Sequence, residues 1–238
     1  MKIIIAVALL LVPVAAYPGQ AGRGAQRFEV TSIRAVRPTL VTLVAALQKK
    51  DVAAARAAIE AYDSGWNGVE VYINVRSMEM YNELERNLQT KITQGLAAAS
   101  PDVAAVLADA QAMLAKYDET IAMVEKAMPL NRLYDDVARL RIERAHLREV
   151  PPALKAGNLA KARKSFEAFN DNWDNIEQLV KDRSLDAYNG IEGGMIAIEN
   201  ALMPAKPDVD QVLTLVTGVM DQYNTIVAQV TKEARSAK

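Results

Sequence analysis

Residues 47–85 read LQKKDVAAARAAIEAYDSGWNGVEVYINVRSMEMYNELE, and residues 154–192 follow the same pattern as LKAGNLAKARKSFEAFNDNWDNIEQLVKDRSLDAYNGIE. The two stretches align without a gap, and 13 of the 39 positions are identical. The only two tryptophans of the chain, Trp66 and Trp173, fall on each other. Self-similarity at a fixed spacing is typical of a duplicated structural unit.

Both copies carry the hydrophobic period of an α-helix. Apolar side chains recur at steps of three and four residues, which places them on one face of a helix. These positions are Ile59, Tyr62, Trp66, Val69 and Ile73 in the first copy and Phe166, Phe169, Trp173, Ile176 and Val180 in the second. No stretch shows the alternation of a β-strand. The sequence therefore predicts an all-α protein made of two tandem, related four-helix up-and-down bundles.

The expected organisation along the chain is a signal peptide at 1–16, a flexible leader at 17–26, and four-helix units at 27–128 and 129–238. Proline and capping residues set the expected helix boundaries within these units.

The first helix falls within 32–48 and should begin near Pro38, since proline is tolerated in a first turn. In the second unit, helices are expected at about 158–180 and 184–203. Tyr117 and Tyr223 match at a spacing one residue shorter than that of the tryptophans, which predicts a one-residue loss in the third loop.

The N-terminus has the features of a secretory signal. Lys2 precedes the apolar run Ile3–Val14, and Ala16 ends a small-residue motif of the kind that signal peptidase cleaves after. The alternative is an uncleaved anchor. Since no later stretch has about 18 consecutive apolar residues, we expect a mature chain that does not span the membrane. Export of a chain without cysteine suits the bacterial periplasm.

The composition excludes several classes of function. Lys+Arg number 28 and Asp+Glu number 29, so the chain lacks the basic excess of a nucleic-acid-binding surface. The absence of cysteine excludes disulfides and thiolate metal sites. The single histidine, His146, is interpreted as a solvated helix residue, and no haem is expected. With no nucleophile motif and no triad, we expect no enzymatic activity.

The duplicated glutamates are the candidate functional residues. In each copy an antiparallel pairing of the second and third helices should place one glutamate beside a tryptophan and another beside a tyrosine. The expected pairs are Trp66 with Glu85, Glu70 with Tyr81, Trp173 with Glu192, and Glu177 with Tyr188. In the second copy Glu199 takes the place of Ile92, so Glu177, Glu192 and Glu199 are expected to converge.

Three interpretations of these carboxylates remain open. They are structural polar pairs that fix the helix register, plain surface charge, or a carboxylate-lined cation site of the kind that helix bundles build. Oxygen ligands would suit iron or another divalent cation. The Glu-x-x-His pair of di-iron bundles is missing, so ferritin-type oxidation is not expected.

Residues 61–70, AYDSGWNGVE, carry a family resemblance. Together with the helix-borne Glu85, they resemble the extracytoplasmic helical region of bacterial high-affinity iron permeases. There an Ala-Tyr-x-x-Gly-Phe-x-x-Val-Glu pattern precedes a second glutamate. The preceding residues 47–56 are similar to the family too. The second copy matches less closely, and Asn172 replaces the glycine.

The resemblance implies a role in iron uptake. The transmembrane helices of the permeases, and the Arg-Glu-x-x-Glu motifs in them, are absent from this sequence, so the chain is not itself a permease. It would be a free-standing periplasmic binding or accessory protein, with a membrane permease or another iron-uptake component as its partner. The second function class considered is a structural helical adaptor that binds a partner protein and carries no metal chemistry.

Overall fold

The computed structural model describes residues 27–237, and in this part of the chain every regular element is a helix. The predicted all-α class is therefore confirmed. The expected signal peptide and leader lie outside the described residues.

The described part of the chain contains ten α-helices, one of them with a π-helical middle segment. They are α1 (Phe28–Gln48), α2 (Val52–Asn74), α3 (78–97, composed of Met78–Asn82, the π-helical Glu83–Gln89 and Thr90–Ala97), α4 (Val103–Lys126), α5 (Leu133–Arg148), α6 (Val150–Lys155), α7 (Leu159–Asn172), α8 (Glu177–Lys181), α9 (Leu185–Leu202) and α10 (Val209–Ser236). A 3₁₀ turn, Trp173–Asn175, separates α7 from α8.

Six of the described helices start at a side chain that accepts backbone N–H groups of the first turn. Such caps stabilise a helix by about 1 kcal/mol because they satisfy donors that the helix itself leaves unpaired. Corresponding caps occur in the two halves of the chain, namely Asp51 and Asn158, Ser77 and Ser184, and Asp102 and Asp208.

Pro38 does not start α1, contrary to the sequence-based expectation. The helix begins ten residues earlier, at Phe28, and contains the proline in its interior. Pro38 and Arg34 both lie on the exposed face, whereas Leu40 is fully buried. The carbonyl that loses its hydrogen bond to the missing proline N–H is therefore on the water side, where the loss is least costly.

The one-residue difference between the halves lies in α3 and not in the following loop. The buried positions of α3 are Leu84, Leu88, Ile92 and Leu96, and those of α9 are Ile191, Met195, Ile198 and Leu202. The π-helical segment accommodates the extra residue of α3, because a π-bulge widens one turn. Consequently Ile198, and not Glu199, occupies the place of Ile92, and Glu199 is exposed.

Long-range contacts recur in the two halves. An arginine after the second helix binds a carboxylate near the start of the first helix of its half, and a tyrosine of the last helix donates to a backbone carbonyl of that first helix. These contacts are Arg76–Glu29 (2.6 Å) and Arg183–Asp136 (3.3 Å), with Tyr117 to Ile33 (2.9 Å) and Tyr223 to Leu140 (2.7 Å).

The two halves pack directly on each other through α2 and α5. Gly68 marks the closest approach, because a Cβ atom there would lie 2.4 Å from a side-chain carbon of Ile142. Buried residues of both halves form one continuous hydrophobic cluster. The cleft and the ion pairs between the halves, described below, depend on this packing.

One described helix, α1, is long and apolar enough by length and composition to cross a membrane. It lies near the N-terminus, where a signal sequence or a core helix meets the same criteria. In this fold α1 packs against α2 and α4, with Ile33, Leu40 and Leu43 buried.

Candidate functional site

Each tryptophan is the centre of an aromatic cluster. Trp66 stacks on Tyr62 and Tyr81, with ring centroids 5.7 and 6.2 Å away, and Tyr117 meets it edge-on at 6.3 Å. In the second half the corresponding neighbours of Trp173 are Phe169, Tyr188 and Tyr223, at 6.0, 6.3 and 6.5 Å. These contacts bury both indoles and leave only the ring nitrogen in need of a polar partner.

The expected tryptophan–glutamate pairs are present in both halves. The indole N–H of Trp66 donates to Glu85, and that of Trp173 donates to Glu192. Burial raises the pKa of Glu85, while the hydrogen bond from Trp66 opposes this effect. A carboxylate that accepts an indole N–H satisfies both groups without any ligand.

Glu70 has a different partner from the one expected. Its carboxylate forms an ion pair with Arg141 of α5 at 2.6 Å, and both side chains are largely buried. Burial raises the pKa of Glu70, and the nearby Arg141 guanidinium partly offsets the rise. The expected neighbour, Tyr81, is still close enough for the Glu70 charge to raise its pKa, after the larger effect of burial. The glutamate is therefore neutralised by the other half of the chain.

Glu177 is the counterpart of Glu70 and has no ion-pair partner within 4.0 Å among residues 27–237. It begins α8, directly after the 3₁₀ break. Partial burial and the carboxylates of Glu192 and Glu177 raise the pKa of Tyr188. The ammonium of Lys181 lies 5.0 Å from the centre of the Tyr188 ring. Glu177 and Tyr188 therefore lie near each other, as expected, and the Lys181 ammonium lies over the tyrosine ring.

The second half contains an acidic cavity of about 560 Å³ beside Trp173. Four carboxylate side chains line it, and no basic side chain of the described residues does. The lining consists of Asn170, Asp171, Trp173, Asp174, Glu192, Met195, Ile196 and Glu199.

Two of the predicted ligands, Glu192 and Glu199, therefore share a cavity, and Glu177 does not line it. Sequence reasoning missed Asp171 and Asp174. The sequence does contain an indication of them. Both are acidic residues close to Trp173, and the first copy has the uncharged Ser64 and Asn67 at these positions.

The carboxylates of this acidic cavity do not converge closely. Within the described part of the chain, no group of three or more Asp, Glu or His side chains is close enough to hold a metal ion. Direct coordination of one ion by three carboxylates would therefore require side chains to move.

Glu143 is a buried carboxyl that the sequence analysis did not single out. It is 9% exposed, one of its oxygens has no hydrogen-bond partner, and burial raises its pKa to about 7. The sequence contains an indication of this buried carboxyl, because the position that corresponds to Glu143 in the first half is the apolar Val36. His146 lies 3.9 Å from this carboxylate and is partly exposed.

Comparisons with models of known protein families, with curated proteins and with solved structures gave no match.

Proposed function

We propose that the protein is a periplasmic helical binding protein that attracts a cation, iron in the first instance, to the acidic cavity of its second half. The observation that carries the proposal is the lining of this cavity, in which Asp171, Asp174, Glu192 and Glu199 meet no compensating basic side chain among the described residues. Clustered carboxylates produce a negative potential that concentrates cations.

The difference between the halves supports this assignment to the second copy. Glu70 is neutralised by Arg141, whereas Glu177 has no such partner in residues 27–237. Glu192 uses one oxygen for the Trp173 indole, which leaves the other oxygen able to accept from a ligand. In the first half, Glu70 and Glu85 are thus both bound by side chains of the protein. In the second half, Glu177 and one oxygen of Glu192 remain free to interact with a ligand.

The chemistry favours a cation that keeps part of its water shell. The separated carboxylates can accept hydrogen bonds from metal-bound waters without closing on the ion. Oxygen ligands suit iron, manganese and calcium and do not by themselves discriminate among these metals. Iron is preferred because residues 61–70 resemble the iron-permease pattern, and a membrane permease is then the proposed partner.

We further propose that the two halves, 27–128 and 129–238, are duplicated four-helix units, exported by the segment 1–16. The support is the recurrence of helix caps, arginine–carboxylate pairs and tyrosine–carbonyl bonds at corresponding positions. Duplication followed by divergence explains why one copy can keep a structural role while the other acquires a binding role.

The second candidate function is a structural adaptor without metal chemistry. It is favoured by the internal satisfaction of both tryptophan–glutamate pairs, which need no ion. In that case the carboxylates fix the register of the helices, and a partner protein binds the outer faces.

The test is to titrate Fe²⁺, Mn²⁺ and Ca²⁺ separately into the mature protein and to measure its thermal unfolding at each ion concentration. A bound ion should raise Tm in proportion to RT ln(1 + [L]/Kd). The Glu199→Gln and Asp174→Asn variants should reduce the shift, and Glu167→Gln, an exposed residue outside the cavity, should preserve it. A wild-type protein that shows no shift with any of these ions would favour the adaptor.

A further inference from the structure

A cleft of about 830 Å³ lies between the two halves. One wall is formed by α2 and α3, and the other by α5, α6 and the start of α7. The volume is in the range of small-molecule sites, which occur preferentially at interfaces between structural units. The cleft shares no lining residue with the acidic cavity described above.

Part of the cleft lining is apolar. It contains Ile59, Ala145 and Ala153, which are buried, and the exposed Pro152. The other lining side chains include polar groups and groups of both charges, so the cleft offers apolar surface together with anionic and cationic groups.

The anionic side of the cleft is rich in hydrogen-bond acceptors. Asp63 accepts one hydrogen bond from Gln89 at 2.8 Å, and the carbonyl oxygen of the Gln89 amide is buried without a partner. Glu149 accepts from Ser64 at 2.7 Å and from Ser165 at 3.2 Å, so it joins the two halves. Asp63, which is bound to Gln89, and Ser64, which is bound to Glu149, are consecutive residues. The carboxylates of Asp63 and Glu149 and the Gln89 carbonyl oxygen therefore lie on neighbouring parts of the cleft.

The cationic side is provided by Arg148, which is exposed and has no ion-pair partner among residues 27–237. The other cation, Lys161, already pairs with Glu60 across the cleft at 3.1 Å. After this pairing, Asp63 and Glu149 remain as anionic groups and Arg148 as the cationic group.

We propose that this cleft binds a zwitterionic ligand, a free amino acid or a short peptide with an apolar side chain. An ammonium group has three donors, which match Asp63, Glu149 and the unpartnered Gln89 oxygen. The ligand carboxylate pairs with Arg148, whose fork of donors suits it. The apolar side chain of the ligand packs on the apolar lining residues Ile59, Ala145 and Pro152.

The experiment measures thermal unfolding and calorimetric binding of the mature protein with L-leucine and with L-alanyl-L-leucine. N-acetyl-L-leucine, which lacks the ammonium, and L-leucinamide, which lacks the carboxylate, are the matched analogues. At tenfold excess over Kd, a ligand of this class should raise Tm by about 3–6 °C. The two analogues should bind at least about tenfold more weakly, since each leaves a charged group of the cleft unpaired.

Two conservative variants test the assigned residues. Asp63→Asn keeps the hydrogen bond to Gln89 and removes the charge, and Arg148→Gln removes the guanidinium, so each should weaken binding at least about tenfold. The controls are Asp221→Asn and Arg86→Gln, which change exposed residues outside the cleft. Calorimetry at one temperature measures binding directly, so a less stable variant still gives an answer.

The proposal is overturned if neither zwitterion binds, if N-acetyl-L-leucine binds as well as leucine, or if both cleft variants retain wild-type affinity. Binding of the dipeptide alone would identify a peptide, and binding of leucine alone would identify a free amino acid. Failure of metal binding in the acidic cavity leaves this result unaffected, because the two sites have no residue in common.

Discussion

Replacing Glu143 by glutamine should stabilise the protein above neutral pH and leave it nearly unchanged in acid. The carboxyl is 9% exposed, and its oxygen Oε2 has no hydrogen-bond partner. Its ionised form raises the pKa of the buried Tyr223, whose burial is the larger effect. Glutamine has the same shape and carries no charge, so the substitution removes only the cost of ionisation.

The magnitude follows from the pKa of Glu143, which burial raises from 4.5 to about 7. Between these values the unfolded chain has lost the proton that the folded chain retains. The free energy of unfolding therefore falls as pH rises from about 4.5 to about 7 and stays lowered above pH 7. Each pKa unit corresponds to about 1.4 kcal/mol. At pH 8 the glutamine variant should thus be more stable than the wild type by about 3 kcal/mol.

The assay is urea and thermal unfolding of the wild type and the variant at several pH values between 4.5 and 8.5. The expected gain at pH 8 corresponds to a Tm increase of about 6–12 °C for a chain of this size. Glu167→Gln, an exposed substitution, is the control and should show no comparable gain. Glu143→Val, which copies Val36 of the first half, should also be more stable at pH 8. The argument would be refuted if the free energies of unfolding of the wild type and Glu143→Gln differed by the same amount at pH 4.5 and at pH 8.

Two further predictions concern the tryptophan–glutamate pairs within each half and the packing of the halves on each other. Trp66→Phe and Trp173→Phe should each lower the free energy of unfolding by at least about 1–3 kcal/mol, because a half-buried carboxylate loses its indole donor; urea unfolding measures this, and losses below about 0.5 kcal/mol would show that the pairs contribute little. Gly68→Ala should destabilise the protein because the added methyl group meets Ile142. The matched Gly193→Ala, where nothing lies within 4 Å, should instead be stabilising by up to about 1 kcal/mol, and equal effects of the two substitutions would contradict the close approach of α2 and α5.

Part of the candidate site could be predicted from the sequence because it depends on local periodicity. Two antiparallel helices joined by a short turn bring Trp66 level with Glu85, and the same holds for Trp173 and Glu192. Asp171 and Asp174 could not be placed in this way. The second copy leaves the regular helix at the 3₁₀ turn, and helical spacing does not describe side-chain directions across such a break.

The sequence by itself determined the helical class and the pairing of tryptophan with glutamate, since these depend on residues close in the chain. The tertiary structure alone decided the partner of Glu70, because Arg141 is 71 positions away and reaches it only through the packing of α2 on α5. It also placed the extra residue in the π-helical turn of α3 and opened the cleft between the halves. Hydrophobic periodicity shows which face of a helix is buried, but the partner of that face depends on how whole helices pack.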